Sequence, residues 1–171
     1  LNSVRIGGDF ALTDHFGKAV TQASYRGRFA LIFFGFTHCK MVCPRALTRL
    51  SEALDLLGEQ AAAIQPLYVT IDPERDTPDV MRAFLEDRWP RFTGLTGSKP
   101  DLEAMRTAFK VFATRVADPG DPEGYDMPHS SLAYLMDPQF QYRAHYPDTL
   151  DAARLADALR AELAKPAEST G

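Results

Sequence analysis

Residues 29–36 read Phe-Ala-Leu-Ile-Phe-Phe-Gly-Phe, eight positions without one polar side chain. The run is too short to cross a bilayer, and its aromatic content favours a strand over a helix. A strand apolar on both faces must be covered on both faces, which points to the middle of a sheet with layers above and below it. The chain has the material for such a core: 171 residues, 45% of them hydrophobic and 25% charged, which suits one compact domain and not a disordered chain.

The segments around that run alternate in type. Residues 7–20 read as a short hairpin, with Phe10 and Leu12 alternating with polar positions and Asp14-His15-Phe16-Gly17 as its turn. After the apolar run, Leu47, Leu50, Leu54 and Leu57 recur at helical spacing and Gly58 supplies a stop. Residues 64–71 return to strand, and Thr77-Pro78 reads as an N-cap followed by proline at the first helical position. The helix that follows, 79–88, carries Val80, Phe84 and Leu85. A short strand at 92–96, a helix bearing Leu102, Met105 and Phe109, and a strand at 111–116 come next. Residues 118–128, rich in Asp, Pro and Gly, read as a loop. A hairpin at 131–136 and 140–146 turns at Asp137-Pro138, and a last helix from about Leu150 buries Leu155, Leu159 and Leu163. Strands alternating with helices predict an α/β sandwich, and the late hairpin predicts a mixed sheet. This is a thioredoxin-like layout with an N-terminal hairpin and a central insertion. One domain is expected over 1–164, with a flexible tail over 165–171.

The formal net charge is −4, and no Lys/Arg run forms a stripe, which argues against a nucleic-acid partner and against lying on an anionic lipid surface. No apolar run is long enough for a membrane span. The chain opens at Leu1 instead of Met, so it is read as trimmed, and the lack of a visible signal segment says nothing of a precursor.

The two cysteines, Cys39 and Cys43, are the only ones in the chain. A disulfide closing so short a loop constrains the unfolded chain little, so chemistry is the stronger reading than stapling. They sit where the buried strand passes into a helix, the edge at which open α/β sheets form sites. On a helix, residues four apart hold their Cβ atoms roughly 5–6 Å apart, whereas a disulfide wants about 3.5–4.5 Å. If Cys39 lies just before the helix, the gap can close. The free N–H groups of a helix start favour a thiolate, the species that binds metal or exchanges disulfides. Two thiolates fall short of a four-coordinate zinc site, whereas Cu(I) accepts fewer ligands. On pattern alone, a redox dithiol and a metal site both stand.

Four motifs resemble the Sco/SenC/PrrC family in order and spacing, from about Phe10 to Leu163. They are Phe34-Gly35-Phe36-Thr37-His38-Cys39-x-x-x-Cys43-Pro44; Val69-Thr70-Ile71-Asp72-Pro73-Glu74-Arg75-Asp76-Thr77-Pro78; Gly94-Leu95-Thr96-Gly97; and His129-Ser130 ahead of Tyr134-Leu135-x-Asp137-Pro138. The resemblance implies a thioredoxin fold held outside the cytoplasm by an N-terminal membrane segment. It implies copper, as Cu(I) and secondarily Cu(II), bound by Cys39, Cys43 and His129. It also implies assembly of the binuclear copper centre of cytochrome c oxidase. Two departures stand out. The interior of the cysteine motif is Lys40-Met41-Val42 where the family often has Pro-Asp, and Pro128 precedes the histidine where the family usually has Asp. The second removes a carboxylate that could orient the ring. Pro128 also resembles the proline that thioredoxin-like redox proteins place beside the dithiol.

The expectation is therefore a periplasmic, membrane-tethered, monomeric copper metallochaperone. Its partner would be a copper-receiving subunit of cytochrome c oxidase, or another periplasmic copper or thiol protein. The alternative is a thiol-disulfide oxidoreductase that keeps partner cysteines reduced. Asp72, Lys40, Met41 and Pro128 are expected beside the ligands or facing a partner. His38 is read as structural, His15 as a surface turn residue, His145 as no ligand, Met127 as packing and Trp89 as partly exposed.

Overall fold

The computed structural model describes residues 5–39, 42–111, 116–117, 125–126 and 131–166. The chain opens with the hairpin of β1 (Ala11–Asp14) and β2 (Ala19–Thr21), in which Leu12 pairs with Val20. Asp14 closes the turn, its Oδ1 accepting the Phe16 and Lys18 N–H groups at 2.9 and 3.0 Å. Strand β3 (Phe29–Gly35) runs into helix α1 (Val42–Leu57), which stops at Gly58 with φ +60. Strand β4 (Ile64–Thr70) leads to α2 (Pro78–Arg88), and the Thr77 hydroxyl caps that helix by accepting the Val80 N–H at 3.3 Å. Strand β5 (Thr93–Thr96) and helix α3 (Lys99–Phe109), capped by Ser98, follow. A small ladder joins β6 (Val116–Ala117) to β7 (Tyr125–Asp126). The chain ends in β8 (Ala133–Met136), β9 (Tyr142–Tyr146) and α4 (Ala152–Ala164), the last capped by Asp151.

Seven strands form one mixed sheet in the order β2-β1-β5-β4-β3-β8-β9. β3, β4 and β5 are mutually parallel at its centre, and both flanks are antiparallel. Alternation along β3 splits the core. Leu31 and Phe33 join residues of α1, α2 and α4 on one face; Ala30, Ile32 and Phe34 join Leu102, Met105 and Phe109 of α3 on the other. Burying a side chain such as Phe33 stabilises the fold by about 1.5–3 kcal/mol, which is why the apolar run occupies the middle of the sheet.

Four local readings change. Trp89 is buried, and its indole N–H donates to Thr48 Oγ1 at 3.0 Å. The cap at Thr77 sets the phase of α2 so that Met81 and Leu85 face the core while Val80 is exposed. The stretch 118–128, read as loop, contains β7, a strand too short for alternation to reveal. His15 is buried, with Nδ1 accepting the Gly94 N–H at 2.8 Å across to β5.

Candidate metal and thiol site

The site lies at the C-terminal edge of the parallel strands. Gly35 and Thr70 pair at the ends of β3 and β4, and the Ile71 N–H donates to the Gly35 carbonyl at 2.9 Å. Beyond Gly35 the chain turns through Thr37 and His38, and the Cys39 N–H donates to the Phe36 carbonyl at 3.2 Å. Cys39 therefore precedes α1 and Cys43 sits in its first turn, the placement that lets two residues four apart converge. The Cys43 N–H donates to Cys39 Sγ at 3.4 Å. Cys39 is half-buried, Cys43 fully buried, and the two are not joined by a disulfide.

The Cys39 thiol and the Phe36 backbone N–H act directly on the Cys43 sulfur, and the Tyr68 hydroxyl lies near it without making a hydrogen bond. The bond to Cys39, and burial after it, push the Cys43 thiol well above the usual range, while Phe36 and Tyr68 act in the opposite direction. Gly35 leaves the space for this. A Cβ built there would lie 2.6 Å from the Tyr68 hydroxyl and 2.8 Å from Cys43 Sγ.

The loop between β4 and α2 braces the cysteine loop from the side. Asp76 is fully buried, and its carboxylate accepts three hydrogen bonds. Oδ2 takes the Thr37 N–H at 3.0 Å and the Thr70 hydroxyl at 2.7 Å, and Oδ1 takes the Thr37 hydroxyl. The Asp76 carbonyl accepts the Thr96 hydroxyl at 2.7 Å, which ties in the end of β5. Burial raises the Asp76 carboxyl above its ordinary value despite these bonds. Asp72 is buried and ion-paired with Arg75, whose guanidinium lies 5.8 Å from the centre of the Phe36 ring.

Of the residues singled out from sequence, Cys39 and Cys43 come together, and Asp72 lies in the adjoining loop. His38 is half-buried beside Cys39. His145 is on the edge strand β9, its Nδ1 bonded to the Tyr142 hydroxyl. His129, Pro128, Lys40, Met41 and Met127 lie outside the described residues. Among the described residues no group of three His, Cys, Asp or Glu could hold a metal ion, so this part of the site offers two sulfurs. Asp76, Tyr68 and Gly35 were not picked out from sequence. Asp76 stands in a quoted motif, but spacing alone does not say which of two carboxylates four residues apart reaches Thr37.

A dithiol at the end of a central parallel strand, on a mixed sheet flanked by helices, defines a thioredoxin-like domain with a thiol or soft-metal site. The SCO1/SenC family model matches residues 1–164, and the chain belongs to that family. It is 39% identical over 145 residues to an SCO2-like protein of Rickettsia felis, covering 85% of this chain and 71% of that one. Among solved structures it is similar to Bradyrhizobium japonicum ScoI with copper bound, at 38% identity and TM-score 0.82, covering 91% of this chain and 98% of that one. Yeast Sco1 with copper bound is 30% identical at TM-score 0.87, over 96% and 92% of the two chains.

Proposed function

We propose that this chain carries copper for the assembly of the binuclear copper centre of cytochrome c oxidase, holding it through Cys39, Cys43 and His129. The observation that carries the reading is the convergence of the only two cysteines at one strand–helix junction, unbridged and within reach of each other. Soft thiolates select Cu(I), and two sulfurs with one imidazole make a sufficient donor set for it. Copper is cargo here. Loading displaces the thiol protons, and the half-buried Cys39 is the sulfur a receiving protein can reach first, so transfer proceeds by ligand exchange from that side. Copper bound in two similar family members supports the assignment. The receiving partner would be a subunit of the oxidase or another periplasmic copper or thiol protein. The domain of residues 1–164 would work as a monomer in the periplasm on a membrane tether. No helix among the described residues is long and apolar enough to cross a membrane.

A second reading rests on the unequal exposure of the two thiols. The accessible Cys39 would attack a partner disulfide and the buried Cys43 would resolve the mixed disulfide, leaving the partner reduced and this pair oxidised. Anaerobic Cu(I) titration of the reduced protein against a competing chelator, in wild type and in His129→Ala, separates the two. One-to-one binding that weakens sharply in the variant, with partner-disulfide reduction retained, is expected. Binding indifferent to His129, or reduction that collapses while copper affinity holds, overturns the three-ligand carrier.

A further inference from the structure

We propose that a cleft lined by Arg45, Arg49 and Arg88, beside the cysteine pair, is the docking site for an acidic segment of the protein that receives copper or exchanges thiols with this chain. The proposal rests on the carrier reading above and names the face by which the partner is recognised.

The cleft has a volume of about 440 Å³. It adjoins the site through the chain itself, because Pro44 and Arg45, which line it, directly follow Cys43. Cys43, Leu47, Leu50 and Leu54 turn one face of α1 into the core, so helical spacing puts Arg45, Arg49 and Glu52 on the opposite face. Arg88 joins them from the end of α2. Three arginines thus meet in a chain whose net charge is −4. Arg45 and Arg88 are exposed and form no ion pair among the described residues. Arg45 and Arg49 are like charges four apart on one helix, an arrangement that repels. The acids nearby do not neutralise them. Glu52 is exposed and makes no ion pair, and the Asp151 carboxylate is taken by the Arg154 N–H at 2.8 Å.

Arg49 shows what the cleft lacks. Its Nη1 donates to the Asp148 carbonyl, whereas Nε and Nη2 are buried with no acceptor among the described residues. Nε–H and one N–H of Nη2 point the same way, the fork that a carboxylate fills with two parallel bonds. A carboxylate reaches that fork when the Arg49 side chain turns into the cleft it lines, at the cost of no more than the bond to Asp148. Arg45 and Arg49 stand one helical turn apart, roughly 6 Å along α1. Alternate side chains of an extended segment repeat at about 6.6 Å, so successive carboxylates of one acidic strand match both arginines, and a single small anion does not span them. A positive face in an acidic protein also steers an acidic partner toward the cysteine edge and no other.

The test titrates the reduced full chain with a terminally blocked hexaglutamate peptide. Trp89, the only tryptophan of the chain, carries the Arg88 guanidinium 4.6 Å from its ring centre and donates to Thr48 of the cleft, so its fluorescence reports binding; calorimetry gives the affinity independently. Saturable one-to-one binding is expected, weakening as salt rises from about 20 to 200 mM. Arg45→Gln combined with Arg88→Gln, both at exposed positions, should lower the affinity about fivefold, the order of two exposed ion pairs. Arg49→Lys keeps the charge, removes the fork and should lower it about threefold. Cu(I) affinity by chelator competition should stay at the wild-type value in every variant, since none of the three arginines supplies a metal ligand. Absent peptide binding, an affinity within about twofold of wild type in the double variant, or equal binding of hexaglutamine overturns the docking site. Inorganic phosphate binding as tightly as the peptide overturns it in favour of a free anion. If the peptide binds as expected and wild type fails to bind copper, the carrier reading falls alone.

Discussion

Removing the Asp76 carboxylate tests whether the cysteine loop is held from the side. The Asp76 carboxylate accepts from the Thr37 N–H, the Thr37 hydroxyl and the Thr70 hydroxyl, and Thr70 is itself fully buried. A hydrogen bond to a charged acceptor contributes about 1.5–3 kcal/mol, and burial of the carboxylate works against it, so the low end applies. Asp76→Ala is therefore expected to cost about 4–5 kcal/mol, read as a lowered urea midpoint with unchanged slope. Asp76→Asn is the sharper comparison. Its oxygen can stand at the Oδ2 position and keep the Thr37 N–H and Thr70 bonds. Its amide can donate to the Thr37 hydroxyl, which then turns from donor to acceptor. The three contacts persist, with the Thr37 hydroxyl hydrogen and one amide hydrogen left to find other acceptors, so the cost is about 1–2 kcal/mol. The pH dependence differs as well. The folded carboxyl is raised above 3.8, so the folded state takes up that proton before the unfolded state does. Wild type should gain stability relative to Asp76→Asn as the pH falls through the folded value toward 3.8, and lose that advantage as the pH rises again. An Ala variant within about 0.5 kcal/mol of wild type, or an Asn variant as weak as Ala, refutes the hydrogen-bond account.

Two further outcomes follow from the same geometry. The buried His15 is held below its ordinary 6.5 by desolvation, against the pull of Asp14 and Glu86 and alongside that of Arg82. The unfolded chain therefore takes the proton first, and stability present above 6.5 is lost as the pH falls from there toward the folded value. Urea unfolding at pH 7.5 and 5.5 should show that loss in wild type and a smaller one in His15→Asn, whose oxygen can still accept the Gly94 N–H; equal losses would refute it. Gly35→Ala drives a methyl against Tyr68 and Cys43 and should cost about 1–3 kcal/mol, with weakened Cu(I) binding; a neutral variant would refute the close approach.

Much of the fold was legible because its signals are local. The run at 29–36, the leucines of α1 and the Thr77-Pro78 cap each predict an element within a turn or two of sequence, and each forms as read. Trp89 and His15 were misplaced for one reason: their environment is set by elements far along the chain. The indole is covered through Thr48 of α1, and the imidazole through Gly94 of β5.

The site divides the same way. Two cysteines four apart after a buried strand are a sequence fact, and their position at the strand–helix edge follows from the pattern alone. What surrounds them was decided by tertiary structure. Asp76 reaches Thr37 across 39 residues, and Tyr68 meets Cys43 only because parallel pairing of β3 with β4 sets Gly35 level with Thr70. Spacing fixes which residues share a face within one element. Register between elements fixes which of those faces meet, and that register depends on the burial of the whole sheet at once.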